Sequence, residues 1–215
     1  MSALLYCDDH VAVADKPSGL LVHRGWGNDR DVLMMRVRDE LGCWVYPVHR
    51  LDRGASGAVL FALTSDTARI LAGAFERAEV HKRYVALVRG IPEEHGIIDH
   101  EIPRRPNGPR VPAVTDYRRL EVFGRYALVE ARPRTGRLHQ IRRHMKHISC
   151  PLIGDVRYGK GEHNRLFRDN YGLHRLALHA AELRFAHPVT GEQVAVTSPL
   201  PDDLRLPLEQ LRGAA

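Results

Sequence analysis

No run in this 215-residue chain comes near the about eighteen consecutive apolar residues that a bilayer span needs. The opening MSALLYCDDH has no basic leader and no long apolar stretch. A cytoplasmic protein with no membrane partner is therefore expected. Only three cysteines occur, Cys7, Cys43 and Cys150, odd in number and far apart, so the sequence encodes neither a disulfide framework nor a cysteine-based metal site. Glycine-rich phosphate loops are missing as well: there is no G-x-G-x-x-G after the first strand and no G-x-x-x-x-G-K-S/T anywhere, which removes the common nucleotide-binding folds. The G-x-S-x-G elbow of serine hydrolases and the H-E-x-x-H of zinc proteases are also absent. No repeat, low-complexity tract or Gly/Ser linker divides the chain, so residues 1–215 are expected to form a single domain.

What the chain has in excess is positive charge. Thirty-two Lys and Arg face 26 Asp and Glu, a formal net charge of +6, and 13 histidines add to it. An anionic partner follows from that balance. The charge is densest in RPRTGRLHQIRRHMKH, residues 132–147, and no acid occurs between Glu130 and Asp155. Thr135-Gly136 reads as a turn, after which a helix can bury Leu138, Ile141 and Met145 and present Arg142, Arg143 and Lys146 on its other side. Guanidinium groups on such a face suit phosphate oxygens. A second basic element, RRPNGPRVP, carries Arg104, Arg105 and Arg110 among prolines and a glycine, a composition that reads as an irregular exposed loop. His139, His144 and His147 do not make a metal site: only the last two share a helix face, and their neighbours are cations.

Hydrophobic periodicity predicts two short strands in residues 3–15 hinged at Asp8-Asp9-His10, then a helix over 30–41 stopped by Gly42. Strands are expected at AVLFAL (58–63), KRYVALVRG (82–90) and GIIDHEI. Ser65 is expected to cap a helix that buries Ala68, Leu71, Phe75 and Ala78. Hairpins are expected on either side of Phe123-Gly124 and across Pro188 to Gly191, with a short helix or turn in PLPDDLRLPLEQL. Together these predict an α+β (mixed α/β) fold around a largely antiparallel sheet.

The stretch VHRLDRGASG, residues 48–57, places one carboxylate, Asp52, between Arg50 and Arg53 and three residues after His49. Neighbouring cations favour the ionised acid. An anion so placed is either half of a structural ion-pair network or a nucleophile or base facing an anionic substrate. The H-R-D of protein kinases does not fit, because a leucine intervenes and the Gly-rich loop and D-F-G are missing.

His49-Arg50-Leu51-Asp52 followed by Ser56-Gly57 resembles the H-R-L-D-x-x-T-S-G signature of the RluA family of pseudouridine synthases. The likeness continues in Lys82-Arg83-Tyr84-Val85-Ala86 (K-x-Y-x-A), in Thr135-Gly136-Arg137-Leu138-His139-Gln140-Ile141-Arg142 (T-G-R-x-H-Q-I/L-R), in Pro151-Leu152-Ile153-Gly154-Asp155, and in Leu178-His179-Ala180. Lys16-Pro17-Ser18-Gly19 through His23-Arg24-Gly25-Trp26 is most similar to the tRNA pseudouridine synthase C branch. Ala55 stands where the family usually has threonine, and no N-terminal S4-like domain is expected beside the catalytic domain.

The resemblance implies an RNA-modifying isomerase that needs no cofactor and no metal, on a single catalytic domain with a basic RNA-binding cleft. A basic single domain with its own cleft has no evident need of a partner subunit, so a monomer is expected. Asp52 would be the catalytic carboxylate, at C1′ or C2′ of the ribose. Arg137 would pair with it and Tyr84 would lie against the flipped uracil. Arg50 would fill the space the base leaves, with His49, Arg142, Arg143, Arg104 and Arg105 as further RNA-binding groups. A tRNA uridine near the junction of the acceptor and T stems is the expected target, with ribosomal RNA or both RNAs as the alternative. The alternative of another class is an RNA-binding module that has lost turnover, with Ala55 as its mark.

Overall fold

The structure, a computed structural model, describes residues 3–24, 31–105 and 108–213. Gly25, Trp26, Arg30, Pro106 and Asn107, which entered the sequence reading, lie outside these ranges. The chain runs through β1 (Ala3–Cys7), β2 (Val11–Lys16), α1 (Leu33–Leu41), β3 (Tyr46–Pro47), β4 (Ser56–Ala62) and α2 (Ser65–Glu76). Next come β5 (His81–Arg89), β6 (His95–Asp99), β7 (Ile102–Pro103), β8 (Arg110–Val111), β9 (Val114–Phe123) and β10 (Tyr126–Pro133). The remainder holds α3 (Gln140–His147), α4 (Gly161–Tyr171), β11 (Leu178–Ala186), β12 (Gln193–Thr197) and α5 (Asp202–Gly213). The class is mixed α/β with largely antiparallel strands, as the sequence predicts. Two compact units can be distinguished, Met1–Lys82 with Ala180–Pro199, and Arg83–His179 with Leu200–Ala215.

In the first unit β2 lies antiparallel between β1 and β4, β3 adds to β4, and β11 pairs with β12. All seven positions of β4 are buried, which is why its sequence reads as a continuous apolar run rather than an alternating one. Its side chains join Val11, Val13, Leu71, Leu183 and Phe185 in one core. Gly57 opens β4 with φ 113°, and a Cβ there would overlap the backbone of Ala180, so only glycine lets these two segments approach. The helix α2 is capped by Thr64, not Ser65: Thr64 Oγ1 accepts the Thr67 N–H at 3.2 Å while Thr67 Oγ1 accepts the Thr64 N–H at 3.3 Å. Ala78, expected on its buried face, lies beyond the helix end, exposed and at φ 59°. Gly42 ends α1 in the left-handed conformation, as predicted.

In the second unit β10 pairs with β5 and β9, and β9 with β6, all antiparallel. The β9–β10 hairpin turns at Gly124, φ 56°. RRPNGPRVP is not wholly irregular: Ile102–Pro103 and Arg110–Val111 form a short antiparallel pair, so the arginines sit on a tethered hairpin. The helix α3 packs on β9 and β10, and α4 on α5. No amphipathic stripe announced α4, whose sequence GEHNRLFRDNY buries only His163 and Phe167. The terminal segment forms a full helix, α5, that accommodates Pro207. Among the described residues no helix is long and apolar enough to cross a membrane.

Candidate active site

Asp52 stands half-buried in the loop between β3 and β4, and its neighbours are fixed from several sides. Leu51 and Ala55 are buried, and the Ala55 N–H donates to the Asp52 carbonyl at 3.1 Å, closing a tight turn around the carboxylate. Arg53, which the sequence leaves without a role, donates from Nε to the Gly19 carbonyl at 2.9 Å, while the Gly19 N–H donates back to the Arg53 carbonyl at 2.8 Å. Ser18 Oγ donates to the Gly54 carbonyl at 2.8 Å. Lys16 is fully buried, and its ammonium donates to the carbonyls of Leu20, Pro17 and Arg53 at 2.7, 2.9 and 3.2 Å. The Lys16-Pro17-Ser18-Gly19 break is thus a strap over the Asp52 loop. A buried lysine in a strand would be costly without such partners, and that pattern is the signal by which a sequence reading could have found it.

His49 supports the other end of the loop. Its half-buried ring stacks on Phe75 of α2 at 4.8 Å, and Nε2 accepts the Leu60 N–H at 2.9 Å. Burial, with the Lys82 charge nearby, pushes its pKa down to about 3, so the ring is neutral at physiological pH. Lys82 lies 5.9 Å from the Phe75 ring centroid, and burial pushes its pKa down to about 8. His49 is therefore placed to position the loop from behind, while Arg50 beside it is exposed. Ala55, in place of threonine, leaves no polar side chain stranded: among the described residues no buried side-chain nitrogen or oxygen lacks a partner.

In the second unit, Tyr84 lies on β5 opposite Ala131 of β10 and is 8% exposed. Arg137 sits in the turn before α3, exposed, with Nε donating to the Pro112 carbonyl at 3.3 Å. The turn is built by Gln140, a buried residue without an assigned role in the sequence reading. Its Oε1 accepts from Thr135 Oγ1 at 2.6 Å and from the Arg137 N–H at 3.0 Å, and its Nε2 donates to Val114 O and Thr115 Oγ1, both at 2.9 Å. His139 takes the left-handed conformation, φ 55°, where the chain enters α3.

The basic stretch is less bare than its sequence. Arg134 reaches Asp116 on β9, Arg132 reaches Glu130, and Arg142 makes two hydrogen bonds to Asp155, at 2.7 and 2.8 Å, with the carboxylate fully buried. Arg142, read as part of the RNA-facing side of the helix, is turned inward, because burying it with Asp155 satisfies both charges. His144 is also inward: Nε2 lies 2.9 Å from the His100 carbonyl and Nδ1 2.9 Å from Thr115 Oγ1, and burial lowers its pKa. Arg143 is half-exposed and Lys146 exposed, as are Arg104 and Arg105 on the β7–β8 hairpin. Among the described residues no three His, Cys, Asp or Glu side chains gather as metal ligands would.

Residues 10–147 match the RNA pseudouridylate synthase family. The chain belongs to that family. Relatives of this pseudouridine synthase include the tRNA pseudouridine synthase C of Vibrio parahaemolyticus, 38% identical over 93% of this chain and 90% of the relative. That of Yersinia pestis is 40% identical over 92% and 86%. Among solved structures, human RNA pseudouridylate synthase domain containing 4 superposes with a TM-score of 0.81 at 28% identity, covering 98% of this chain and 93% of that one. The synthase is thus an isomerase acting on RNA. Its reaction breaks the N1–C1′ bond of a uridine and joins C5 to C1′; C5 loses a proton and N1 gains one, so no atom is added or removed overall.

Proposed function

We propose that the substrate is a uridine of tRNA near the junction of the acceptor and T stems, and that Asp52 is the carboxylate acting on its ribose. The observation that carries the choice of RNA is the whole-chain identity, near 40%, to relatives named tRNA pseudouridine synthase C. The role of Asp52 is supported by its setting: a half-buried acid on a loop held by a buried lysine, a neutral histidine and three backbone clamps is preorganised, which a surface ion pair does not require. In this reading Arg137 orients the carboxylate, Tyr84 faces the uracil and Arg50 takes the place of the flipped base. His49 holds the loop, and Arg104, Arg105 and Arg143 meet phosphates in a basic cleft, with Arg142 supporting them through Asp155. The two units act as one catalytic domain, as a monomer in the cytoplasm.

Chemical mapping of pseudouridines in total RNA from a strain lacking the gene tests the target. Loss of one pseudouridine near the acceptor and T-stem junction of tRNA, restored by the wild-type gene, is expected. Loss confined to ribosomal RNA would overturn the assignment.

A further inference from the structure

Tyr158 lies in the turn between Asp155 and α4, and four cations surround its ring. The guanidinium carbons of Arg142, Arg143 and Arg157 are 5.1, 5.5 and 5.6 Å from the ring centroid and the Lys146 ammonium is 5.9 Å away. Only Arg142 is neutralised, by Asp155. Among the described residues no carboxylate comes within ion-pair distance of Arg143, Lys146 or Arg157. The ring face attracts each cation but does not cancel their mutual repulsion. Three uncompensated charges held half in solvent around one post are completed by an anion. A phosphate, whose oxygens take paired hydrogen bonds from guanidinium groups, fits that place. The turn is open to such a ligand, since Val156, two residues before Tyr158, is 95% exposed.

The Tyr158 hydroxyl carries a second link. It accepts from Arg143 Nε at 3.0 Å and lies 3.0 Å from His139 Nδ1, the residue whose left-handed backbone starts α3 two positions after Arg137. We propose that Arg143, Lys146 and Arg157 around Tyr158 form a subsite for a backbone phosphate of the RNA substrate, tied through the Tyr158 hydroxyl to the turn that carries Arg137. This rests on RNA being the substrate. Occupying the subsite holds the RNA and steadies the Arg137 turn together.

The test is equilibrium binding of unmodified, transcribed tRNA to the full chain across about 50–200 mM salt, with turnover of the same tRNA read in parallel. R157Q and K146Q, both at exposed positions, are each expected to flatten the slope of log affinity against log salt, and the double variant by up to about 0.7–0.9, the share of one phosphate. R69Q removes an exposed arginine of α2 that is paired with Asp66, and should leave the slope unchanged. Y158F keeps the ring and loses the hydroxyl, so its turnover at saturating tRNA should fall by more than its affinity does. A double variant with the wild-type slope, an R69Q effect as large as that of R157Q, or a Y158F with wild-type turnover would overturn the proposal. A wild type that binds tRNA with the expected slope but turns over no RNA would contradict the functional reading while the subsite stood.

Discussion

Replacing Asp155 by asparagine isolates the charge of one buried pair. The carboxylate is fully buried and the Arg142 side chain 10% exposed, with two hydrogen bonds joining them at 2.7 and 2.8 Å. Asn keeps an oxygen for the backbone N–H groups of Arg157 and Tyr158, which Asp155 Oδ1 accepts at 2.9 and 3.0 Å. What is lost is the counter-charge, and a buried guanidinium left alone costs about 3–5 kcal/mol. At about 2–4 °C per kcal/mol for a chain of this length, the melting temperature should fall by about 6–20 °C. Thermal melts followed by circular dichroism measure this. Adding Arg142→Met to Asp155→Asn should recover most of the loss, because the orphan charge is then gone while the Asn oxygen still serves both N–H groups.

The pH dependence has a definite sign. Burial works against the Asp155 charge, but the Arg142 hydrogen bond and the Tyr158 and Arg157 N–H groups prevail and hold its pKa below the ordinary carboxylate value. Its stabilisation is complete above about pH 4 and drains away as pH falls through the lower folded value. D155N should lack that acid limb. A D155N melt within about 2 °C of wild type, or a double variant less stable than D155N, would refute the reasoning.

Other perturbations follow from the same contacts. Gly57→Ala forces a Cβ into the Ala180 backbone at a φ of 113° and should destabilise by more than about 2 kcal/mol, read from urea midpoints. His49 has a folded pKa of about 3, below its ordinary 6.5, so as pH falls from 6.5 towards 3 stability should drop by up to about 1.4 kcal/mol per pH unit, and His49→Phe should flatten that limb. Lys82, lowered to about 8, should give a wild-type stability rise with pH between about 8 and 10.5 that Lys82→Met lacks, because the unfolded chain binds the proton that the folded one releases.

Local rules made most of the fold legible. The β9–β10 hairpin, the β11–β12 hairpin and the Gly42 stop all rest on turn chemistry between neighbouring residues, which a sequence displays directly. The helix α4 was hidden because its one large buried apolar group, Phe167, stands among polar residues and makes no periodic stripe. Long-range compensation was equally invisible. The stretch between Glu130 and Asp155 has no acid in sequence, yet Arg134 meets Asp116 from the adjacent strand and Arg142 meets Asp155 from beyond the helix. Asp52 stood out by its flanking arginines. The clamps that hold it, Lys16 and Ser18, lie more than thirty residues earlier in the chain, where only tertiary structure brings them to the loop.

Asp52 is the carboxylate proposed to perform the chemistry. Release of tritium from tRNA labelled at uracil C5 measures the one proton that must leave carbon, independently of where the pseudouridine lies. Wild type should release tritium in proportion to pseudouridine formed, and Asp52→Asn should bind the same tRNA with near wild-type affinity yet release none above background. Release by Asp52→Asn at the wild-type rate would contradict the account.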